Sequence, residues 1–568
     1  MLPGLHARQM FPSDIETNVI DIRHQSLTLF NPPPTPIRQP AEFEPMQGVL
    51  IRYPFGISYD IIGELSEDAE VVTIVSSSSQ QTTVESLYLS QGINLDHCSF
   101  LIAPSDTYWT RDYGPWFIFN GDDEQGVVDF TYNRPRPNDN AIPSAYANNQ
   151  GIPVYTMPLE HTGGNYMTDG QGISISTDLL WTENPGYSSS QIDDIVLEYL
   201  GIETYHVVPD VNGEYIEHID CWAKFLSPDT IMIREVPQTH SQYDEIEAAV
   251  DYFESQTSSY NTPYDIVRVY TPNNQPYTNS LILNDKVLVP ITGSSWDDDA
   301  LQSYENAMPG YEVLGFTGSW ASTDALHCRT KGIVDREMLY IEHLPLSGVQ
   351  DKKNGYDIQA TIIPYSGESL ISSSPCVYWK IEGSSWESIQ MEHVSDDEYH
   401  AVIPYQDQGV TVSYYIHAED NSGRSENHPY IGEDDPHSFI SSGGSNTAPD
   451  KPETPDGPAS GKPDSTYIYS TTTTDPEGDQ VFYMWDWGDG NFSDWLGPFA
   501  SAETSTATYS WNEKGTYAVQ VKAKDIYGKE SEWSDPLEVI MPKSHALWNR
   551  LERNFPNVFA FLQKILEI

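Results

Sequence analysis

SSSQIDDIVLEYLG, residues 188–201, carries its apolar residues at three- and four-residue spacing, the period of a helix with one buried face. Serine ahead of the first turn is suited to cap the free backbone N–H groups, and Gly201 can take the left-handed conformation that stops a helix. YDEIEAAVDYFESQ, residues 243–256, repeats the pattern. Around these helices stand short apolar runs: GVLIRYP (48–54), FLIAP (100–104), WFIF (116–119), LILN (281–284) and KVLVPIT (286–292). Their length and their β-branched and aromatic content are those of strands. Strands alternating with helices over residues 42–345 predict an α/β domain.

Outward from that core the pattern changes. Residues 1–41 form a lead-in that ends in NPPPTPIRQP, an extended proline-rich stretch. After about Gly348 the helical period is lost. VYWKIEG (377–383), EYHAVIPY (398–405) and TVSYYIHAEDNSG (411–423) alternate with period two, which predicts a β-sandwich over 346–441. Residues 442–465 are rich in Gly, Pro, Ser and Asp and read as a linker. YIYSTTTT (467–474), QVFYMWDWGDG (480–490), ATYSW (507–511) and GTYAVQVKAKDIYG (515–528) predict a second β-sandwich over 466–542. Residues 543–568 read as an amphipathic helical tail, interrupted at Pro556 and suited to docking.

With 28 Lys+Arg against 84 Asp+Glu, the 568-residue chain carries a formal charge of −56. Such a surface repels phosphate backbones and anionic membranes and draws in cations, so nucleic acid is not an expected partner. No segment approaches the roughly 18 consecutive apolar residues of a membrane span. The start, MLPGLHARQMFPSDIE, lacks the apolar core of a signal peptide, which fits an intracellular protein or one whose leader has been removed. The four cysteines, Cys98, Cys221, Cys328 and Cys376, are far apart, which argues against a disulfide framework or a zinc ribbon.

Polar, aromatic and glycine residues crowd into three islands: Tyr108–Trp116 (YWTRDYGPW), Gly213–Trp222 (GEYIEHIDCW) and Ser322–Thr330 (STDALHCRT). Each has an ordinary reading: a salt bridge in a turn, an oriented buried histidine, a small core cysteine. If the second island is a strand, His218 and Asp220 share a face. Together the islands supply a thiol, an acid/base and two carboxylates, the inventory for attack on a cationic carbon centre. A guanidinium has five donors in a fixed fork and calls for carboxylates around it. Zinc is the competing reading, but tight ligand spacing such as HExxH or paired CxxC is missing. No metal and no cofactor is expected.

WTRDYGPWF, HTGGNYMTDG (161–170), EYIEHIDCW and DALHCRT occur in the order found in bacterial peptidylarginine deiminases of the Porphyromonas type, relatives of the agmatine deiminases, and the chain resembles that family over roughly 42–343. The resemblance implies the five-fold α/β-propeller of the guanidino-group-modifying superfamily, five ββαβ-like units around a central site, followed by an Ig-like sandwich. It implies Cys328 as nucleophile, His218 as acid/base, Asp220 and Asp112 as guanidinium-binding carboxylates and Trp109 as a pocket wall. Asn279, in YTNSLIL, matches a polar residue near the nucleophile. Adjacent residues on a strand point apart, so His218 and not its rival His327 is the expected acid/base. Cys98 and Cys221 are spectators.

Which guanidine is taken turns on Tyr132-Asn133-Arg134-Pro135-Arg136-Pro137. This segment matches the arginine pair that binds a substrate α-carboxylate in the peptidyl enzymes, and Tyr215 matches a substrate contact there. The expected reaction is therefore deimination of C-terminal peptidyl-arginine to citrulline and ammonia, with agmatine deiminase and a non-catalytic adhesin as alternatives. The second β-module resembles PKD domains, which favours a secreted or cell-surface protein over a cytoplasmic one. Asp475, Glu477, Asp479 and Asp489 are candidate calcium ligands there, with turn-forming roles the better expectation.

Overall fold

The structure, a computed structural model, describes residues 31–541 except 214, 351–353, 408, 443–446 and 527. The first thirty residues of the lead-in and the expected helical tail lie outside the described residues. Two compact units divide the rest: residues 31–347, 357–403 and 413–438 in one, and 348–356, 404–412 and 439–541 in the other.

The first unit holds five small sheets, each built the same way. In the second sheet, β4 (Trp116–Phe119) pairs antiparallel with β5 (Gln125–Tyr132), and β5 pairs parallel with β6 (Val154–His161). The helix Ile142–Gln150 makes the parallel crossover. The same strand–strand–helix–strand unit recurs as β7 (Met167–Thr168), β8 (Ile173–Thr177) and β9 (Thr204–Val208). It recurs as β10 (Ala223–Ser227), β11 (Thr230–Glu235) and β12 (Asp265–Tyr270), and as β13 (Leu281–Leu283), β14 (Lys286–Ile291) and β15 (Glu312–Thr317). The first sheet comprises β1 (Met46–Arg52), β2 (Glu70–Val75) and β3 (Cys98–Ile102), and its antiparallel strand, β16 (Lys331–Val334), comes from the far end of the domain. Met46 lies opposite Val334 and Leu50 opposite Lys331, so the ring is closed by pairing the domain's two ends. This is the five-fold propeller expected from the resemblance.

The local reasons are those read from the sequence. Strands buried on both faces, such as WFIF and EVVTIV, carry continuous apolar runs. The helix Ser189–Leu200 buries Ile192, Val196, Tyr199 and Leu200, begins with a reciprocal Ser188–Gln191 capping box and ends at Gly201 with φ +71°.

Strands Leu339–Glu342, Tyr356–Pro364, Glu398–Ile403 and Glu392–Ser395, all but Tyr356 in the first unit, form one sandwich sheet in that spatial order. In the second unit, Leu496–Phe499, Val481–Asp486, Gly515–Asp525 and Leu537–Met541 form a sheet, and Tyr467–Thr471 pairs with Ser505–Tyr509. Stacked Trp485 and Trp487, with ring centroids 5.3 Å apart, anchor that module's core. The stretch expected to be a linker is in part bound into this module: Asp450 N donates to Thr474 O, Glu453 N to Thr472 O, and Asp456 bridges Ser470. Prolines suppress helix there but leave an extended chain free to pair with a strand. Asp475, Glu477 and Asp479 bring carboxylate oxygens within 4.8 Å of one another. Asp475 Oδ1 accepts from the backbone N–H of Glu477 and Asp479, a turn-forming role, and Asp489 instead accepts from Tyr509 and Asn491.

Candidate active site

Each of the five propeller sheets offers one short turn just before its first antiparallel strand, and the expected catalytic residues and Asn279 fall in or beside those turns. Asp112 lies in Thr110–Tyr113 before β4, and His218 and Asp220 border or lie in Ile219–Cys221 before β10. Asn279 precedes β13, and Cys328 lies in His327–Arg329 before β16. The turn Gly163–Asn165 before β7 completes the set. Repetition of one unit around a ring brings five equivalent turns to one place.

Cys328 is buried there with 1% of its surface exposed. Its thiol lies 3.7 Å from Asp220 Oδ2, and Asn279 Nδ2 donates to Sγ at 3.3 Å while Asn279 Oδ1 accepts from Cys328 N at 3.3 Å. Asn279 thus holds both the sulfur and the backbone of one residue. His218 Nδ1 stands 3.7 Å from Asp112 Oδ1. Among the described residues, Asp112 Oδ1 and both His218 ring nitrogens are buried without a hydrogen-bond partner. Buried polar atoms left open in this way are groups waiting for a polar ligand.

The strand expectation for two islands is corrected. His218 has extended backbone, but Ile219–Cys221 is a tight 3₁₀ turn, and so is His327–Arg329. His327 and Cys328 therefore do not point apart as on a pleat. His327 Nδ1 lies 2.7 Å from Asp220 Oδ2, and His327 Nε2 lies 2.7 Å from Glu42 Oε2. Glu42 also meets Arg111 Nη2 at 2.7 Å and Lys224 Nζ at 2.8 Å. A neutral imidazole has one N–H and can donate to only one of the two carboxylates, so this geometry favours a protonated His327, while burial and then Arg111 push its pKa down. His327 is thus a positioning residue that fixes Asp220, while His218 faces Asp112. Arg329 holds the Cys328 turn from outside through a bidentate pair with Asp324, 2.8 Å for each contact, and a bond to Gly56 O at 2.7 Å.

Burial and the neighbouring Asp220 push Asp112 up to about 8. Burial lowers His218 to about 4, against the pull of Asp220. Burial, then Asp220 and Asp112, raise the Cys328 thiol well above its ordinary range. Burial therefore favours a neutral imidazole and a thiol over an ion pair at this site. A guanidinium placed between the two aspartates offsets their field at the sulfur, which favours thiolate.

Arg136 stacks over the Trp109 ring at 4.6 Å and donates to Tyr132 OH at 3.0 Å. Arg134 acts electrostatically on both Asp112 and His218, which puts the arginine pair beside the carboxylate–imidazole side of the cluster. Tyr215 is 81% exposed on the turn before His218 and does not join the buried group. Cys221 is buried with its thiol 3.6 Å from Asp220 Oδ1, while Cys98 and Cys376 are only partly buried.

A family model described as Porphyromonas-type peptidyl-arginine deiminase matches residues 38–333, just over half of the chain. The chain belongs to that family. Its domain is accordingly a deiminase of the agmatine and peptidyl-arginine group, a hydrolase of C–N bonds. The agmatine deiminase of Medicago truncatula is 24% identical over 296 residues, 42% of this chain and 78% of that protein. A solved agmatine deiminase of Enterococcus faecalis is 20% identical, with a TM-score of 0.47 over 53% of this chain and 96% of its own. A PKD domain model matches residues 448–540. The solved PKD domain of an M14-like peptidase from a Thermoplasmatales archaeon is 46% identical over 17% of this chain and all of its own, with a TM-score of 0.17.

Sequence reasoning missed Glu42, Arg111, Lys224 and the glycines before β7. AEFEP gives Glu42 no visible partner, because its partners lie 69 to 285 residues away. Gly164 had a signal in the GG doublet of HTGGNY. A Cβ there would meet His218 Nδ1 at 2.5 Å and Asp112 Oδ1 at 2.7 Å. Gly164→Ala is expected to lower kcat about 10- to 100-fold by displacing the imidazole, with the melting temperature nearly unchanged. Steady-state kinetics beside a thermal melt checks this.

Proposed function

We propose that the protein hydrolyses the guanidinium of C-terminal peptidyl-arginine to citrulline and ammonia through a covalent Cys328 intermediate. The observation that carries the reading is the arginine pair, Arg134 and Arg136, set beside a buried thiol, imidazole and two carboxylates. Asp112 and Asp220 clamp the guanidinium, and its charge promotes transfer of the Cys328 proton to His218. The thiolate forms the C–S bond, His218 gives its proton to the departing nitrogen, and ammonia leaves an alkylthiouronium. His218 then takes a proton from water, whose oxygen adds to the same carbon. The C–S bond breaks, the added hydroxyl gives its proton to the sulfur, and the ureido product and the free thiol are released while His218 returns its proton to solvent. Agmatine has an amine where this reading requires a carboxylate, so two cations at that end disfavour it.

An Arg–carboxylate contact is worth on the order of 1.5–3 kcal/mol. Arg134→Ala or Arg136→Ala is therefore expected to lower kcat/KM for a C-terminal-arginine peptide at least about tenfold. An amidated peptide or agmatine should lose far less. Equal losses on all substrates would leave the arginines as supports of the fold and return agmatine as the leading substrate. Export to the cell surface belongs to the same reading; it rests on the PKD match at 448–540, and cell fractionation tests it.

A further inference from the structure

Beside the arginine pair lies a carboxyl group that the proposed reaction does not use. Asn133 Nδ2 donates to Glu183 Oε1 at 2.6 Å. The two remaining oxygens, Asn133 Oδ1 and Glu183 Oε2, are buried with no donor among the described residues. A proton on Glu183 Oε2 satisfies both at once, because an amide and a carboxylic acid pair through N–H to one oxygen and O–H to the other. Arg134 Nη1 stands 4.0 Å from Glu183 Oε1, close enough to pair if that carboxyl ionises.

We propose that Glu183 is a specificity-determining residue: as a neutral acid it leaves Arg134 to the substrate's carboxylate, and as an anion it competes for Arg134. This rests on the reading that Arg134 holds that carboxylate.

The groups around Glu183 agree with the proposal. It ends the helix Leu179–Glu183, and it is faced by Asn133 and Arg134 after β5, by Glu160 on β6 and by Glu217 before His218. Burial pushes Glu183 up to about 7; Asn133 and Arg134 pull down, and Glu160 and Glu217 push up again. Below that pH the acid is neutral and bound to Asn133, and above it the anion turns to Arg134. The preference for a free carboxylate is thus present at low pH and lost as pH rises. The substrate's own α-carboxyl, with a pKa of about 3.5, stays ionised throughout and contributes no slope.

The test measures kcat/KM for one peptide with a free C-terminal arginine and for its amide, between about pH 6 and about pH 8.5. Their ratio cancels titrations of the shared chemistry. For the natural protein the ratio should fall about two- to fivefold over that range, the size of a partly exposed ion pair. In Glu183→Gln, which keeps the paired amide geometry, and in Glu183→Ala, the ratio should be flat. A flat ratio in the natural protein, or an unchanged fall in either variant that folds, overturns the proposal. Arg134→Ala separates the two readings: if it retains the carboxylate preference, the arginine assignment is at fault. If it loses that preference while the natural ratio is flat with pH, only the role of Glu183 fails.

Discussion

Cys328→Ala is expected to lower ammonia release from an arginine peptide by at least about 10,000-fold, the scale on which removal of a covalent nucleophile acts. The loss should fall on kcat, because in the proposed mechanism Asp112 and Asp220 would still clamp the guanidinium. The fold should survive, since one sulfur leaves a site held from outside by the Arg329–Asp324 pair and the closing β1–β16 ladder. Mass spectrometry of a slowed His218→Ala variant, quenched during turnover, should show a substrate-derived adduct on the peptide containing Cys328. Turnover by Cys328→Ala within about tenfold of the natural protein would end the thiol mechanism. An adduct on Cys221 would move the chemistry to the other side of Asp220, where that thiol stands 3.6 Å from Oδ1.

Asp220→Asn is the second large effect, expected to cost about 100- to 1,000-fold in kcat/KM. The change is isosteric, so packing is spared, but three relations end together. The guanidinium loses one of its anions. The Cys328 thiol loses the carboxylate 3.7 Å away, and the proton bridge through His327 to Glu42 loses one acceptor. A purely structural role for Asp220 predicts a lower melting temperature with kcat/KM nearly intact in the folded fraction. Titration of Cys328 with a neutral alkylating reagent gives an independent readout: removing an anion beside the sulfur should lower the thiol pKa and move the rate profile to lower pH.

Much of this site was legible in the chain. Cys328, His218, Asp220 and Asp112 stand in short motifs that concentrate chemical groups as ordinary loops do not, and Asn279 comes from the family resemblance. The structure brings all five together. Local backbone was the weak point: the strand geometry considered for EHID and HCR gives way to tight turns at Ile219–Cys221 and His327–Arg329. Period-two alternation cannot be told from a turn over three residues. Tyr215 came from the resemblance alone, and the structure leaves it exposed.

The strands, the helix with its capping serine and terminal glycine, and the α/β alternation follow from apolar period and end signals within about fifteen residues, so the sequence by itself determined the local elements and the chemical groups between them, while the ββαβ repeat came from the family resemblance. Tertiary structure alone decided three things. Closing β16 onto β1 brings turns separated by more than two hundred residues to one place. Burial at that place favours the uncharged forms of Asp112, His218 and Cys328 and inverts the ordinary ionisation of Asp112, since desolvation penalises charge wherever no counter-charge is present. Glu42, an unremarkable residue beside a proline-rich lead-in, becomes the far carboxylate of the His327 bridge, because ion pairing depends on distance in space and not along the chain.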